Sequence, residues 1–286
     1  MLRFEFAQNL PPDTPSRLKV FALEKAKADQ SLFVNLFSRL GLMGALSGLS
    51  WKNNAGWTTT ESKDARVSIN QRSGAIRFWT RLNDRELPKT PFTIDEPSLA
   101  SIARSFLKRT DLAPVPVDQL KVSKIAYLRM QTKPVEGKAT SPRILDAGVI
   151  FGREVEGVPV SGPGGYVMIN VGPDESVLAG TKVWRRLGKT LGMANVLKPD
   201  YAIKELSRRL SLQKIDRPVR VLRAEFCYFE RGENDEQNYL EPTYTFVYEY
   251  ETKNRFPYKS ALVIPAIQGS RQNWDPPKRF TSTSVV

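Results

Sequence analysis

The chain has 286 residues, with 43 Lys and Arg against 30 Asp and Glu, a formal net charge of +13, one cysteine and no histidine. Without an imidazole it can build no Ser-His-Asp triad, no Cys-His pair and no His-ligated zinc or haem, and a single cysteine forbids an intramolecular disulfide or a CxxC site. Any chemistry must rest on carboxylates, Lys, Arg, Tyr, Ser, Thr or backbone groups.

Leu2-Arg3-Phe4-Glu5-Phe6 alternates like a strand and lacks the basic and apolar regions of a signal peptide, so the chain is either cytosolic or a mature form whose leader has been removed. No apolar run approaches the roughly 18–20 residues a membrane helix needs. Lys19 to Leu23 reads as a strand. Lys27 to Leu40 places Leu32, Phe33, Leu36, Phe37 and Leu40 at helical spacing. Two strands follow, Arg66 to Asn70 and Ala75 to Arg81, joined by a turn at Arg72-Ser73-Gly74. Asp95-Glu96-Pro97 is a helix start, a capping residue with Pro in the first turn, followed by Leu99, Ile102, Ala103, Phe106 and Leu107.

Lys121 to Arg129, Gly148 to Val155, Val158 to Val160, Tyr166 to Val171 and Val177 to Trp184 have period two, with turns at Glu156-Gly157 and Pro173-Asp174-Glu175. Lys198-Pro199-Asp200 opens a third helix carrying Tyr201, Ile203, Leu206 and Leu210, with Lys204, Arg208 and Arg209 on its outer face. Val219 to Phe229, Tyr239 to Glu251 and Ser260 to Ile264 complete the strands. Short turns between them imply antiparallel meanders. The tail from Gln268 to Val286 is polar.

The chain echoes itself. Val67-Ser68-Ile69-Asn70, a turn, Ala75-Ile76 and Trp79 parallel Val167-Met168-Ile169-Asn170, a turn, Val177-Leu178 and Trp184. This pattern of strand, Asn, turn, strand and later amphipathic helix resembles the PepSY domain. Phe151 to Val160 with Gly164-Gly165-Tyr166-Val167 is similar to the propeptide domain of thermolysin- and fungalysin-type metalloproteases. Tyr239 to Phe246, with Val263-Ile264-Pro265-Ala266, resembles the closing strands of such proteins.

The resemblance, in patches from Lys19 to Ile267, implies an α+β fold of repeated cystatin-like units: curved antiparallel sheets, each with a helix on one face. It divides the chain into an N-terminal unit (1–112), a central propeptide-like unit (113–212), closing strands (213–267) and a polar tail (268–286). It also implies a secreted or cell-envelope protein that inhibits, chaperones or regulates a protein or peptide partner by binding. The absence of histidine excludes the HExxH peptidase that would make it a propeptide in cis.

Candidate sites are few. Leu187-Gly188-Lys189-Thr190 ends like a phosphate loop, but Val183 stands where the first Gly belongs. Gly162-Pro163-Gly164-Gly165 could cradle an anion with backbone N–H groups, though a wide hairpin loop explains it more simply. Asp146, Glu154 and Glu156 lie on or beside one strand and could divide acid–base work if burial split their pKa values, though such residues are more often solvent-facing strand positions next to a turn. Glu230, Glu233, Asn234, Asp235, Glu236, Asn238 and Glu241 form an oxygen-rich loop whose spacing fits no EF-hand. No metal or cofactor is expected.

Among the late aromatics, Tyr228, Tyr244, Phe246 and Tyr248 are either core or the wall of a ligand groove. They alternate with acids and Thr, which argues against nucleic acid. Cys227 reads as a buried, inert thiol. Bases crowd Lys182 to Arg223, including Arg185, Arg186, Lys204, Arg208 and Arg209, and acids crowd Glu225 to Glu251. That layout is a polyanion stripe or, more simply, two blocks that neutralise each other. A non-catalytic binding protein is therefore the leading expectation. A His-free enzyme acting through carboxylates in a cystatin-like cleft is the alternative, and a polyanion binder the third.

Overall fold

The computed structural model describes the chain except residues 1–2, 9, 12, 26–29, 42–49, 64, 81–89, 116, 118–119, 132–140, 253–255 and 273–286. Its strands are β1 (Phe4–Phe6), β2 (Arg17–Leu23), β3 (Ser50–Asn54), β4 (Trp57–Glu61), β5 (Arg66–Asn70), β6 (Ile76–Trp79), β7 (Lys121–Met130), β8 (Arg143–Val155), β9 (Val158–Ser161), β10 (Tyr166–Val171), β11 (Val177–Val183), β12 (Leu187–Asn195), β13 (Val219–Phe229), β14 (Tyr239–Leu240), β15 (Pro242–Glu251) and β16 (Pro257–Pro265). Its helices are α1 (Gln30–Arg39), α2 (Glu96–Thr110) and α3 (Pro199–Leu212).

The expected α+β fold of repeated cystatin-like units is wrong. Of the described residues 48% are in strands and 17% in helices, and thirteen strands join one large mixed sheet. The order is β16-β15-β13-β9-β8-β10-β11-β6-β5-β4-β3, with β1 added to β13 and β7 added to β8, while β12-β2-β14 forms a second sheet. The reason lies in the pairing rather than in the elements. β6 pairs with β11, β1 pairs in parallel with β13, and β2 pairs with β12 and β14. These ladders join the stretches 1–112, 113–212 and 213–267 to one another. The two echoed hairpins, β5–β6 and β10–β11, stand side by side in one sheet through the β6–β11 ladder.

The helices form where the apolar spacing puts them. In α2, Asp95 caps the start by accepting from Ser98 N at 2.8 Å, and Leu99, Ala103, Phe106 and Leu107 are buried on one face. Asp111 ends the helix at φ +51, with Lys108 and Arg109 in the last turn favouring its dipole. α1 buries Phe33, Leu36 and Phe37, and α3 buries Ala202, Leu206 and Leu210.

Two apolar cores result. One holds α1, α2 and the inward faces of β5, β6, β8 and β10. The other holds α3 with β2, β13, β15 and β16. One strand serves both: β8 gives Ala147, Val149 and Phe151 to the first core and Val155 to the second. Arg153 occupies the inward position between them.

Because β8 is common to both cores, they should unfold together. Leu107→Ala in the first core and Leu210→Ala in the second should each cost about 2–5 kcal/mol. In each variant, urea melts followed by tryptophan fluorescence and by far-ultraviolet circular dichroism should coincide. Separated transitions would mean independent lobes.

Candidate functional site

The site begins with an interruption. β9 and β10 run along the same side of β8, with Val160 opposite Arg153 and Val167 opposite Phe151, and residues 162–165 bulge between them. On its outer side β9 meets β13, whereas β10 meets β11. The sheet therefore forks at the bulge, and the ends of β11 and β13 enter the fork carrying Trp184, Arg185 and Glu230. The backbone closes tightly there: Gly164 N donates to Glu230 O at 3.0 Å, Gly165 N to Val183 O at 2.7 Å, and Glu230 N to Ser161 O at 2.9 Å. A Cβ on Gly162, itself at φ +115, would lie 2.5 Å from Glu230 O, and one on Gly164 would lie 2.3 Å from Arg231 O. Glycine is needed at both for this close approach, and the loop's N–H groups serve the backbone rather than an anion.

Inside the fork Glu230 is fully buried. Its Oε2 accepts from Arg153 Nη1 at 2.9 Å, and its Oε1 accepts from Arg185 N at 2.8 Å and Arg185 Nη1 at 3.5 Å. Arg153 Nη1 also donates to Arg185 O at 2.9 Å, and its guanidinium lies 4.9 Å from the centre of the Trp184 ring. Arg185 donates onward to Arg231 O (2.7 Å), Gly232 O (2.8 Å) and Asp235 O (2.6 Å). Burial pushes the Glu230 carboxyl up from its ordinary value, while both guanidiniums pull against it. Burial lowers both arginines as well, with Glu230 opposing, yet a guanidinium stays charged at neutral pH.

The oxygen-rich loop is used up as a fastener. Glu233 pairs with Arg77, Asn234 Oδ1 accepts from Trp57 Nε1 at 2.7 Å, and Glu241 accepts from Arg271 N at 2.9 Å and Ser270 Oγ at 2.6 Å. The loop thereby ties the β13–β14 connection to β4 and β6, and the start of the tail is tied to Glu241.

Beside the fork lies an open cleft of about 1100 Å³. Arg153, Trp184, Val155 and Val160 line it, with Phe21 and Leu187 from the second lobe and Pro114 and Val115 from the first. Glu154, Glu156, Lys121, Arg186 and Glu24 complete its lining. The turn at Glu156 (φ +55) and Gly157 (φ +75) is a two-residue type I′ hairpin. Val155–Val158 is then a hydrogen-bonded pair, Glu154–Pro159 a non-bonded one and Arg153–Val160 bonded again. Pro159, which has no N–H, occupies the one position that can spare it. Glu154 therefore turns its backbone N–H and C=O away from β9. On that side β7 starts at Lys121 opposite Gly152, and the chain before it turns off at Leu120, whose N–H bonds Val117 O at 3.2 Å. Among the described residues the next ladder position, at Glu154, has no strand.

The sequence candidates fall in different places. Glu154 and Glu156 reach the cleft, but each meets a lysine: Lys121 Nζ to Glu154 Oε2 at 2.6 Å, and Lys19 Nζ to Glu156 Oε1 at 2.7 Å. Asp146 lies far along β8, opposite Leu128, and accepts from Asn170 Nδ2 at 3.0 Å. Tyr228, Tyr244, Phe246 and Tyr248 line no groove. All four are at most 2% exposed, because the aromatic face of β15 is its core face. Tyr228 Oη donates to Lys19 O at 2.7 Å and Tyr244 Oη to Leu197 O at 2.6 Å.

Cys227 is buried with its Sγ 3.6 Å from Thr243 Oγ1, and burial pushes its thiol up to about 11. The basic residues do not share a surface. Arg185 is sealed in the fork, and Arg186 is exposed at the cleft. Lys204 stands exposed on α3. Arg208 and Arg209 both clamp Glu205, whose carboxyl falls to about 2.

Sequence reasoning passed over the Arg153–Glu230 pair. Its signal was there: Arg153 continues the inward run 147, 149, 151, and Glu230 continues 224, 226, 228. Opposite charges at inward positions of two apolar strands imply a buried partner.

No family model matches the chain, and no curated protein matches it. Among solved structures, a crystal structure of an uncharacterized protein from Eubacterium rectale ATCC 33656 is similar over 94% of this chain and 90% of that one, at 11% identity and a TM-score of 0.54. That likeness concerns the fold.

Two changes test the electrostatics. Glu230→Gln leaves two guanidiniums buried without their counter-charge and should cost about 3–5 kcal/mol, seen as a lower urea midpoint. Lys182, on β11 opposite Ile76 and Val167, is pushed down to about 8 by burial, with Arg186 adding and Asp111 opposing. Between about 8 and the ordinary 10.5 the unfolded chain holds the extra proton, so stability rises with pH across that window, and below it the charging penalty is complete. Lys182→Met should therefore stabilise at neutral pH by on the order of 1–3 kcal/mol, and the gain should fade by the top of that window in thermal melts.

Proposed function

We propose that the protein is a non-catalytic binding protein, regulatory in role, whose inter-lobe cleft receives an extended peptide segment of a protein partner. The observation that carries this reading is the ladder position at Glu154, which no strand among the described residues fills, on the wall of an open cleft about 1100 Å³ in volume. An extended chain entering there continues the lane that β7 leaves. It gains main-chain hydrogen bonds from β8, and Phe21, Val115 and Leu187 offer apolar contact to its side chains.

The carboxylate-enzyme alternative loses support because Glu154 and Glu156 are each paired with a lysine and Asp146 lies elsewhere on β8. The polyanion reading loses support because Arg185 is buried and Arg208 and Arg209 are committed to Glu205. The expectation of binding no longer leans on cystatin-like units and rests on the cleft alone.

Displayed random peptides should be enriched by the wild-type chain and lost on Val115→Arg, which fills the cleft wall. Hydrogen exchange with a selected peptide bound should slow at residues 152–157. Slowing confined to any other surface, or turnover of a small molecule without peptide binding, would sink the proposal.

A further inference from the structure

We propose that the cleft reads a free carboxylate at the end of the bound peptide, and that Arg153 receives it. This rests on the peptide reading above and adds the chemistry of the ligand's terminus. The Arg153 side chain is only 5% exposed, yet it lines the cleft. Its guanidinium is held on one side only: Nη1 donates to Glu230 Oε2 and Arg185 O. Nε and Nη2 have no hydrogen-bond partner among the described residues, and neither belongs to the fully enclosed unpartnered atoms, which are Thr60 Oγ1, Arg185 Nε and Gln272 Oε1. Two donors of a fixed, desolvated cation therefore front the cleft.

The two guanidiniums of the fork differ in how far they are engaged. Arg185 donates to the carbonyls of Arg231, Gly232 and Asp235 and feels the carboxylates of both Glu230 and Asp235. Arg153 has Glu230 as its one acidic partner, reached through Nη1 alone. Trp184, 4.9 Å from the guanidinium carbon, sets the plane of the fork. A planar fork with two free donors suits a planar monoanion, and a carboxylate accepts from it bidentately. Of the acids that line the cleft, Glu154 and Glu156 are paired with Lys121 and Lys19, and Glu24 is the third. The vacant ladder position and the guanidinium are one residue apart on β8, roughly 3.3 Å along the strand, so a chain pairing with Glu154 ends within reach of Arg153.

The test is a titration of the full-length, isotope-labelled protein with N-acetyl-Ala-Val-Ala-Val as the free acid, with the same peptide as its C-terminal amide, and with sodium acetate. The Arg153 Nε–H and Trp184 indole N–H resonances are read throughout. The free acid should move both and bind about tenfold more tightly than the amide, the worth of one charge-assisted contact. Arg153→Lys, which keeps the charge beside Glu230 but loses the fork, should reduce that ratio to near unity. The wild-type comparison stands even if the variant folds poorly. Acid and amide binding equally in the cleft would overturn the carboxylate proposal and leave the peptide reading intact. Acetate moving both resonances with neither peptide bound would sink the peptide reading and uphold Arg153 as a carboxylate receiver. No response to any of the three would overturn both.

Discussion

Glu230, buried between two guanidiniums, is the contact on which the rest of the architecture depends. A carboxylate without water is stable only if its lone pairs are met, and here Arg153 Nη1, Arg185 N and Arg185 Nη1 meet them. Each partner comes from a different strand end. Arg153 is inside β8, Arg185 follows β11 and Glu230 follows β13, so the ion cluster is also the knot between two sheets' worth of strands. Apolar packing alone could not specify this joint, since Leu or Val there would be equally content in either core. Opposite charges in apolar surroundings must meet, and here that brings the ends of β11 and β13 to Arg153 of β8.

The fork and the cleft lie at opposite edges of the same strand end. On one edge of β8 the bulge at residues 162–165 lets β9 turn to β13 while β10 stays with β11. On the other edge β7 begins only at Lys121, so among the described residues no strand pairs with β8 at Glu154. Phe21 and Leu187 line the cleft there together with Pro114 and Val115. Arg153 belongs to both, since it pairs with Glu230 in the fork and lines the cleft.

Much of the local structure was legible. Apolar spacing located all three helices, although residues 26–29 at the expected start of the first lie outside the described residues, as does the tail beyond residue 272. Period two gave Arg66–Asn70, Tyr166–Val171 and Val219–Phe229 with their observed bounds, and positive-φ residues sit in the expected Glu156-Gly157 turn. What failed was assembly. Periodicity says which face of a strand is apolar and nothing about its neighbour, so β6 beside β11 and β1 beside β13 carried no sequence signal. β12 was missed because Leu187–Asn195 has two glycines and no clean alternation, and β3–β4 because SWKNN and WTTTE are too polar to stand out. The candidate site suffered from the opposite error. Glu154 and Glu156 were noticed for their chemistry, whereas Arg153 just before them, which faces inward, was read as one more residue of a strand.

Charge is the last case in which linear sequence misleads. The basic run ending at Arg223 and the acidic run beginning at Glu225 look like two poles, but the β13–β15 ladder sets Arg220 against Glu249, and Arg223 meets Glu225 on its own strand. Glu249 takes Lys259 as well, at 3.6 Å. These pairs spend part of the apparent dipole within one sheet, at the modest worth of exposed pairs. The pairing at the fork is different in kind, because three groups meet where water does not screen them. A net charge of +13 spread over a surface steers encounters in a salt-dependent way. A guanidinium held rigid beneath a cleft with two donors free is screened far less, so a contact made to it would keep its strength at salt concentrations that abolish the long-range field.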